Sequence, residues 1–351
     1  MPLLQQTIEQ IQGIDRQIEA DARKYIDSLA KPPQSLGKLE TLAIQLSAIT
    51  GERFPKIDQK AMIVMAADHG VYEEGVTPNP QSTTVFQTLS FPKGTTGMCT
   101  IAKVTNAKVV TVDVGVKEDL PPDAGVIIKK VKYGTDNMAK GPAMTREEAI
   151  RAIEVGIEVT TEEIKKGINL IGTGEMGIAN TTPSAAVLAV FYGCDPLEVT
   201  GFGAGVGSGG IEFKAEVIRK AIELNQPNAD DPIDVLAKVG GLELCGMAGI
   251  FLAAAANRVP VVVDGYISLV SALAAYKLNP HVKDYIIPSH QSEEPGAKIA
   301  ADLLGIEPML QMNMRLGEGS GAALAFPILD AACSMVSNMV TLEEAAAILT
   351  K

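Results

Sequence analysis

Short apolar runs alternate with helical stretches through the middle of the chain. The apolar runs cover residues 61–66, 109–114, 168–171, 259–263 and 285–287, and each is followed by a small, acidic or proline residue. Runs of this length are typical of strands that are buried on both faces of a parallel sheet. Helical periodicity fills the gaps at 145–166, 182–191, 211–224, 242–256, 266–277 and 294–304. This alternation predicts an α/β fold with a doubly wound parallel sheet and flanking helices.

Both ends of the chain have a helical pattern. Residues 3–29 repeat apolar side chains at helical spacing, with a bend expected near Gly13, and a short helix follows through Leu39, Leu42 and Leu46. Residues 319–350 return to helix. We expect the two ends, 1–30 and 320–351, to form a small helical domain against a large α/β catalytic domain, 31–319.

Composition excludes several classes of function. The chain has 351 residues, of which 46% are hydrophobic, so it can bury a sizeable core and is not a disordered protein. Its 30 basic and 42 acidic residues give a net charge of -12, which disfavours nucleic acid and anionic membrane surfaces as partners. The most apolar region, 246–276, is interrupted by polar residues and Pro260, so we expect no membrane insertion.

The cysteines and histidines indicate neither disulfides nor a metal site. Four cysteines lie far apart without a CxxC pair, as in proteins of the reducing cytoplasm, and three histidines are scattered. Acidic residues appear early in the chain, unlike in a secretory signal or a transit sequence. We therefore expect a cytoplasmic protein without a bound metal.

The glycine-rich segment 172–183 follows a predicted strand and opens a helix. Thr182 is a suitable N-cap and Pro183 a favoured first helical residue, so the helix start would offer free N–H groups to a phosphate. Glu175 is predicted in the turn, where its carboxylate could contact a sugar hydroxyl or a reacting base. The alternative is a capped turn with an exposed glutamate.

A second glycine-rich loop covers 201–210, and its residues 205–210 match GxGxxG. A dinucleotide fingerprint needs a firm preceding strand and an acidic residue about 20 positions later. The preceding run, 197–200, is short, although Glu223 could supply the acid. We favour a loop that shapes a phosphate or ribose pocket, with Lys214 as a phosphate partner; a solvated helix face is the alternative for Lys214.

Two more loops end predicted strands. Asp264 could hold ribose hydroxyls, and Ser292 could donate a hydrogen bond to phosphate. His290 lies close to serines, but no GxSxG turn exposes a nucleophile, so a structural histidine is the favoured interpretation.

Glu318 lies between Gly317 and Gly319, just before an apolar helix. The two glycines allow the backbone to approach a ligand closely. A helix N-terminus would lower the pKa of this carboxyl, whereas apolar burial would raise it. The alternative to a reacting carboxylate is an acid that complements the helix dipole.

Taken together, these loops closely resemble a known family. Segments 31–40, 66–71, 174–183, 225–228, 288–290 and 314–324 resemble the nicotinate-nucleotide–dimethylbenzimidazole phosphoribosyltransferases of cobalamin lower-ligand assembly. The resemblance runs from about residue 20 to residue 340. It implies a Rossmann-like parallel sheet, a helical domain drawn from both termini, and a homodimer.

The resemblance also implies a reaction and its residues. Phosphoribose would pass from nicotinate mononucleotide to a benzimidazole nitrogen, with one inversion at C1′ and without Mg²⁺, since no pyrophosphate leaves. Glu318 would be the general base, and Glu175 would help to position or deprotonate the attacking base. The implied nucleotide-binding residues are Gly177, Asn180, Thr181, Thr182, Gly203, Gly205, Lys214, Asp264, Gly265, Ser292 and Arg315.

The implied base pocket departs from the family pattern. It comprises Asn79, Gln87, Met176 and Leu316, where Ser and Leu are expected in place of Asn79 and Met176. Residues 203–208 read Gly-Ala-Gly-Val-Gly-Ser, where enterobacterial members have Gly-Ala-Asn-Leu-Pro-Pro. The acceptor therefore stays open among benzimidazoles, adenine and phenols. Two alternative functions also stay open: an NAD-dependent dehydrogenase and a non-catalytic nucleotide-binding protein.

Overall fold

A sheet of six parallel strands forms the centre of the computed structural model, which describes residues 1–349. The strands are β1 (Lys60–Ala67), β2 (Lys108–Gly115), β3 (Ile127–Ile128), β4 (Leu170–Met176), β5 (Val261–Val263) and β6 (Ile286–Pro288). Their spatial order is β3-β2-β1-β4-β5-β6, and every neighbouring pair is parallel. This is the order of a Rossmann-type doubly wound sheet. The predicted α/β fold is confirmed.

β1 shows why these sequences form buried strands. All eight of its residues are buried. Ile63 and Met65 pack into the core on one face of the sheet, whereas Met62 and Val64 pack into the core on the other. Because side chains alternate between faces along a strand, a strand covered on both sides needs an unbroken apolar run.

The helices cover both faces of the sheet. They are α1 (Leu3–Gln10), α2 (Arg16–Asp27), α3 (Lys38–Thr50), α4 (Thr83–Ser90), α5 (Gly97–Ala102), α6 (Arg146–Lys165), α7 (Thr181–Tyr192), α8 (Gly210–Asn225), α9 (Pro232–Val239), α10 (Leu242–Ala256), α11 (Tyr266–Leu278), α12 (Pro295–Leu304), α13 (Ser320–Asn338) and α14 (Leu342–Leu349). On one face, α6 and α10 pack together and α10 contacts β1 and β4; on the other, α13 contacts β4, β5, α3 and α5.

Several boundaries differ from the sequence predictions. β4 begins two residues later than predicted and continues through Glu175 and Met176, so Glu175 belongs to a strand and not to a turn. The C-terminal stretch is two helices, α13 and α14, with a break between them. The short strand β3 and the helices α4, α5 and α9 were not predicted, because each is too short to show a clear period.

The two ends of the chain meet beside α2. The N–H of Ala30 donates to the carbonyl of Val340 and the N–H of Leu342 to that of Ser28, each over 2.9 Å. α1, by contrast, packs on α6 and α10. The boundaries of the proposed helical domain stay a prediction, and its last two residues, 350 and 351, lie outside the described part of the chain.

α13 is long and apolar enough to cross a membrane, by length and composition alone. Its mean hydropathy is 1.4, and 56% of it is buried inside the fold. Phe326 and Leu329 are among its fully buried side chains. The helix thus also has the character of a core helix, and the absence of membrane insertion stays a prediction.

Candidate active site

A cavity of about 290 Å³ opens at the carboxyl ends of β4, β5 and β6. This is where ligands bind in doubly wound sheets. Most of the site residues expected from the sequence line it: Asn79, Gln87, Glu175, Met176, Gly177, Asn180, Thr181, Gly203, Asp264, Gly265, Ser292, Arg315, Leu316 and Glu318. Segments that are distant in the chain therefore meet at a single site.

Thr182, Gly205 and Lys214 are absent from the lining of this cavity. Thr182 is buried within α7. Gly205 lies beside Pro78. Lys214 is buried behind the lining, and its ammonium donates hydrogen bonds to Oγ1 of Thr181 at 2.7 Å and to the carbonyl of Gly201 at 3.2 Å.

The buried position of Lys214 perturbs its ionisation. Burial lowers the pKa of Lys214 to about 8, although the nearby carboxylate of Glu294 opposes this shift. Glu294 in turn accepts a hydrogen bond from the N–H of Gly203 over 2.8 Å. The alternative of a solvated helix face for Lys214 is therefore wrong, since its ammonium faces the glycine loop and the start of α7.

Glu318 has a strained backbone. Its φ is +63°, between Gly317 at +82° and Gly319 at +94°. A residue with a side chain in this left-handed region costs on the order of 1–3 kcal/mol and is held there by its surroundings. Glycine on either side lets the turn form, because a Cβ at Gly319 would lie 2.6 Å from Cε of Met62.

Three groups restrain the carboxylate of Glu318. The side-chain amide of Gln87 donates to Oε1 over 3.0 Å, and the N–H of Met98 approaches Oε2 to 3.5 Å. Burial raises the pKa of Glu318 above its usual value, while these donors and the hydroxyl of Thr96 act against the rise. Thr96 and Met98, at the start of α5, were missed by the sequence analysis because only the fold brings α5 to Glu318.

Glu175 lies directly behind Glu318. Its Oε1 accepts the backbone N–H of Glu318 over 3.1 Å, and its Oε2 accepts the side-chain amide of Asn180 in a short contact. Burial raises the pKa of Glu175 to about 8, and the charges of Asp264 and Glu243 add to the rise. An exposed glutamate in a capped turn, the alternative interpretation, is wrong, because Glu175 is buried.

Asp264 caps α13. One oxygen accepts the N–H groups of Gly321 at 2.7 Å and Ala322 at 3.1 Å, and the other accepts that of Gly319 at 3.1 Å. A carboxylate at a helix N-terminus is favourable because it meets unpaired N–H groups. Both oxygens that were expected to face a ribose are thus engaged with the start of α13.

The start of α7 also differs from the prediction. The helix begins at Thr181 and its N-cap residue is Asn180, so Thr182 is not the N-cap. Asn180 makes no side-chain capping hydrogen bond, and its amide nitrogen donates to Glu175.

The GxGxxG sequence at 205–210 is not a dinucleotide fingerprint. The residues before it form a 3₁₀ turn, Pro196–Glu198, and not a strand of the sheet. A fingerprint requires the loop to connect a strand to a helix. This removes the feature on which the dehydrogenase alternative depended.

Comparison with known proteins identifies the family. The chain matches the family model described as "Phosphoribosyltransferase" over residues 11–347. It is 61% identical to the nicotinate-nucleotide–dimethylbenzimidazole phosphoribosyltransferase of Alkaliphilus metalliredigens, over 98% of this chain and 99% of that protein. The corresponding protein of Clostridioides difficile is 51% identical, over 98% and 99%. The chain belongs to the nicotinate-nucleotide–dimethylbenzimidazole phosphoribosyltransferase family.

A solved member of this family has the same fold. The crystal structure of the Thermus thermophilus phosphoribosyltransferase superposes with a TM-score of 0.90 at 40% identity, covering 95% of this chain and 99% of that one. The family resemblance expected from the sequence is confirmed.

The phosphoribosyltransferase cavity also has lining residues that the sequence analysis did not select. They include Thr83, Tyr266, Ser268, His290 and Glu294. The signal for His290 and Glu294 in the sequence is their place in the loop after β6, at the carboxyl edge of the sheet. His290 lines the cavity, and its Nδ1 lies 3.1 Å from Oγ of Ser289 and 3.8 Å from Oδ1 of Asp264.

No group of three or more His, Cys, Asp or Glu side chains in residues 1–349 is arranged to hold a metal ion.

Proposed function

We propose that Glu318 is the general base of a phosphoribosyl transfer from nicotinate mononucleotide to 5,6-dimethylbenzimidazole or a related base. The products are an α-ribazole-type phosphate and nicotinate, and the reaction belongs to the assembly of the cobalamin lower ligand. The single observation that supports this most is the restrained, buried carboxylate of Glu318 in a cavity at the carboxyl edge of the sheet.

The displacement balances without a further reactant. One nitrogen of the acceptor bonds to C1′ on the face opposite to nicotinate, and the C1′–N bond to the pyridinium ring breaks. The electron pair of that bond neutralises the positive charge of the pyridinium, so the leaving group needs no acid. The other acceptor nitrogen loses its proton to Glu318. Burial favours this step, because a carboxylate with a raised pKa is a stronger proton acceptor.

The donor phosphate lies among Gly177, Thr181, Gly203, Gly265 and Ser292 in this proposal. These residues line the cavity, and Thr181 is the first residue of α7, where the helix dipole favours an anion. Lys214 supports the same anion through Thr181, and Arg315 also lines the cavity.

Glu175 is a positioning residue in this proposal. Both of its oxygens bind protein groups, and one of them holds the N–H of Glu318. Asp264 has a similar role, because it fixes the start of α13 immediately after Glu318.

A product assay tests the function. Nicotinate mononucleotide is incubated with dimethylbenzimidazole, benzimidazole, adenine or a phenol, and both products are identified by mass spectrometry. We expect nicotinate and an α-ribotide in equal amounts with at least one base. Nucleotide binding without base-dependent release of nicotinate would instead support a non-catalytic binding protein, and tight NADH binding would support a dehydrogenase.

We further propose a cytoplasmic homodimer that acts on small molecules. All four cysteines are free, as suits a reducing compartment. Leu342 and Ile348 on α14 expose apolar side chains, which a second copy of the chain would cover. Sedimentation at micromolar concentration tests this, and a monomer mass would contradict it.

A further inference from the structure

The segment Ala-Asp-His-Gly at 67–70 has no part in the transfer described above, yet it places a histidine next to the site. His69 follows β1 and is 1% exposed. Its ring lies between two glycines. A Cβ at Gly177 would lie 2.9 Å from Nε2 of His69, and a Cβ at Gly241 would lie 2.6 Å from Cε1. Both positions must lack a side chain for the imidazole to fit.

His69 is paired with a buried carboxylate. Its Nε2 lies 2.9 Å from Oε1 of Glu243, in the first turn of α10, and both side chains are almost fully buried. Neither group has another side-chain or backbone hydrogen-bond partner in the described part of the chain, and the contact itself falls outside hydrogen-bond angles. Charge attraction therefore links the two groups, since an unpaired buried carboxylate would be very unfavourable.

Burial and three carboxylates act on the pKa of His69 in opposite directions. Burial acts against the charged form, but the carboxylates of Glu243, Asp68 and Glu175 outweigh it and raise the pKa of His69 above its usual value. These carboxylates thus favour the imidazolium form of His69.

The carboxylates of two such histidine–carboxylate contacts act on Glu175. Glu243 of α10 and Asp264 after β5 both act on its charge. Glu243 is paired with His69, and Asp264 lies 3.8 Å from His290. The remaining groups that face Glu175 are the amide of Asn180 and the N–H of Glu318. Each of the two carboxylates that act on Glu175 thus has a histidine ring next to it.

We propose that His69, through its pair with Glu243, is a positioning residue of the transfer site that fixes the charge state of Glu175. This inference rests on the proposed function, because Glu175 matters through its hydrogen bond to the backbone of Glu318. Removing His69 leaves the Glu243 charge unopposed and disfavours ionisation of Glu175. Removing Glu243 leaves a cation and favours that ionisation.

The pH dependence of kcat/KM tests the pair in four variants. Glu175→Gln first identifies the inflection that belongs to Glu175, because that variant lacks it. We expect His69→Gln to move this inflection upward by about one pH unit and Glu243→Gln to move it downward by about as much. The double variant His69→Gln/Glu243→Gln restores the wild-type position. His281→Gln is the matched control. His281 also lies near a carboxylate, at 3.9 Å from Asp284, but its side chain is 59% exposed.

A purely structural pair gives a different result. Its loss would lower the midpoint of unfolding in both single variants and leave the inflection in place, or move it in the same direction in both. Either outcome overturns the proposal.

A measurement on the wild-type protein tests the proposal even if the variants fail to fold. The chain has only three histidines, so the nitrogen NMR signals of their rings can be followed from pH 5 to pH 9 and assigned with His281→Gln and His290→Gln. We expect the His69 ring to stay an imidazolium at neutral pH, and a neutral ring there overturns the proposal. This titration needs no substrate, so it is independent of the product assay that decides the proposed function.

Discussion

The backbone N–H of Glu318 donates a hydrogen bond to Oε1 of Glu175 across 3.1 Å. The two carboxylates of the site are therefore not equivalent. Both side chains line the cavity, but Glu175 holds the backbone of Glu318 and the amide of Asn180, whereas the carboxylate of Glu318 contacts the amide of Gln87 and, at 3.5 Å, the N–H of Met98. The geometry favours Glu318 as the group that exchanges a proton with a ligand and Glu175 as the group that holds it in place.

Glu318→Gln keeps the shape of the side chain but cannot accept a proton. Because general-base catalysis contributes roughly 10²–10⁴-fold, we expect turnover to fall by about that factor. Binding of nicotinate mononucleotide should change little. Steady-state kinetics and calorimetric titration measure the two effects.

Glu307→Gln is the control for this substitution, because the side chain of Glu307 is 82% exposed and pairs with Lys38 at the surface. Near-normal turnover of Glu318→Gln at saturating substrate would show that Glu318 is not the base and would make Glu175 the leading candidate.

Glu175 should make stability depend on pH. Its pKa is raised from 4.5 to about 8, so the folded state binds the proton more tightly than the unfolded state does. The stabilisation is complete below pH 4.5 and is lost as the pH rises through about 8. Urea unfolding of the wild type should thus show a free energy of unfolding that falls, on the order of a few kcal/mol, across this range.

Glu175→Gln removes the titrating group and should flatten that dependence. Its loss of turnover should be smaller than that of Glu318→Gln, because glutamine still offers an oxygen to the N–H of Glu318. Identical pH profiles of unfolding for the wild type and Glu175→Gln would contradict the raised pKa.

Gly319→Ala should displace Glu318. Its φ is +94°, and the new Cβ would lie 2.6 Å from Met62 and 2.8 Å from the carbonyl of Thr173. We expect a loss of more than about 1 kcal/mol in the free energy of unfolding, together with a drop in kcat.

Two other glycines separate the backbone strain of Gly319→Ala from its steric clash. A Cβ meets nothing within 4 Å at Gly167, where φ is +102°, or at Gly141, where φ is not positive. Gly167→Ala should therefore show the backbone cost alone, and Gly141→Ala neither cost. A drop in kcat for Gly167→Ala as large as that for Gly319→Ala would refute a local effect on Glu318.

Asn79, Gln87 and Met176 should control the choice of acceptor. Asn79→Ser and Met176→Leu restore the residues expected for the family, and we expect each to change the ratio of rates for dimethylbenzimidazole and adenine by up to about tenfold. Gln87→Ala should also slow transfer to every base, because Glu318 loses an amide donor. Competition assays with both bases measure the ratio.

Lys298→Gln is the control for acceptor choice, because this lysine is 73% exposed and pairs with Asp302 on the surface. An unchanged ratio in all three pocket variants would show that acceptor choice depends on other residues.

The fold and most of the site were predictable because their signals are local. Apolar runs that end in Gly, Asp or Pro mark parallel strands, and the loops that follow such strands meet at one edge of the sheet. Glu175 and Asp264 were found in this way, whereas Glu318 was found from the glycines on either side of it and the apolar helix that follows. What could not be read locally is which group each carboxylate binds, since Asp264 caps a helix that begins 56 residues later.

The errors have physical causes in tertiary contacts. Thr182 was assigned as the N-cap of α7 by residue preference alone. The structure instead places Asn180 there and commits its amide to Glu175. For Lys214, a phosphate partner and a solvated helix face both stayed possible. Helix periodicity does not reveal that the glycine loop 201–210 folds over this lysine.

The left-handed backbone of Glu318 lowers the stability of the fold at the residue that is proposed to act as the base. Glycine adopts a φ of +63° without strain, so Glu318→Gly would relieve it and would also remove a buried carboxyl. A screen of this chain for thermostability alone would thus be expected to enrich glycine at 318 and to discard the proposed base. Engineering of this enzyme should hold position 318 fixed and look for stability elsewhere.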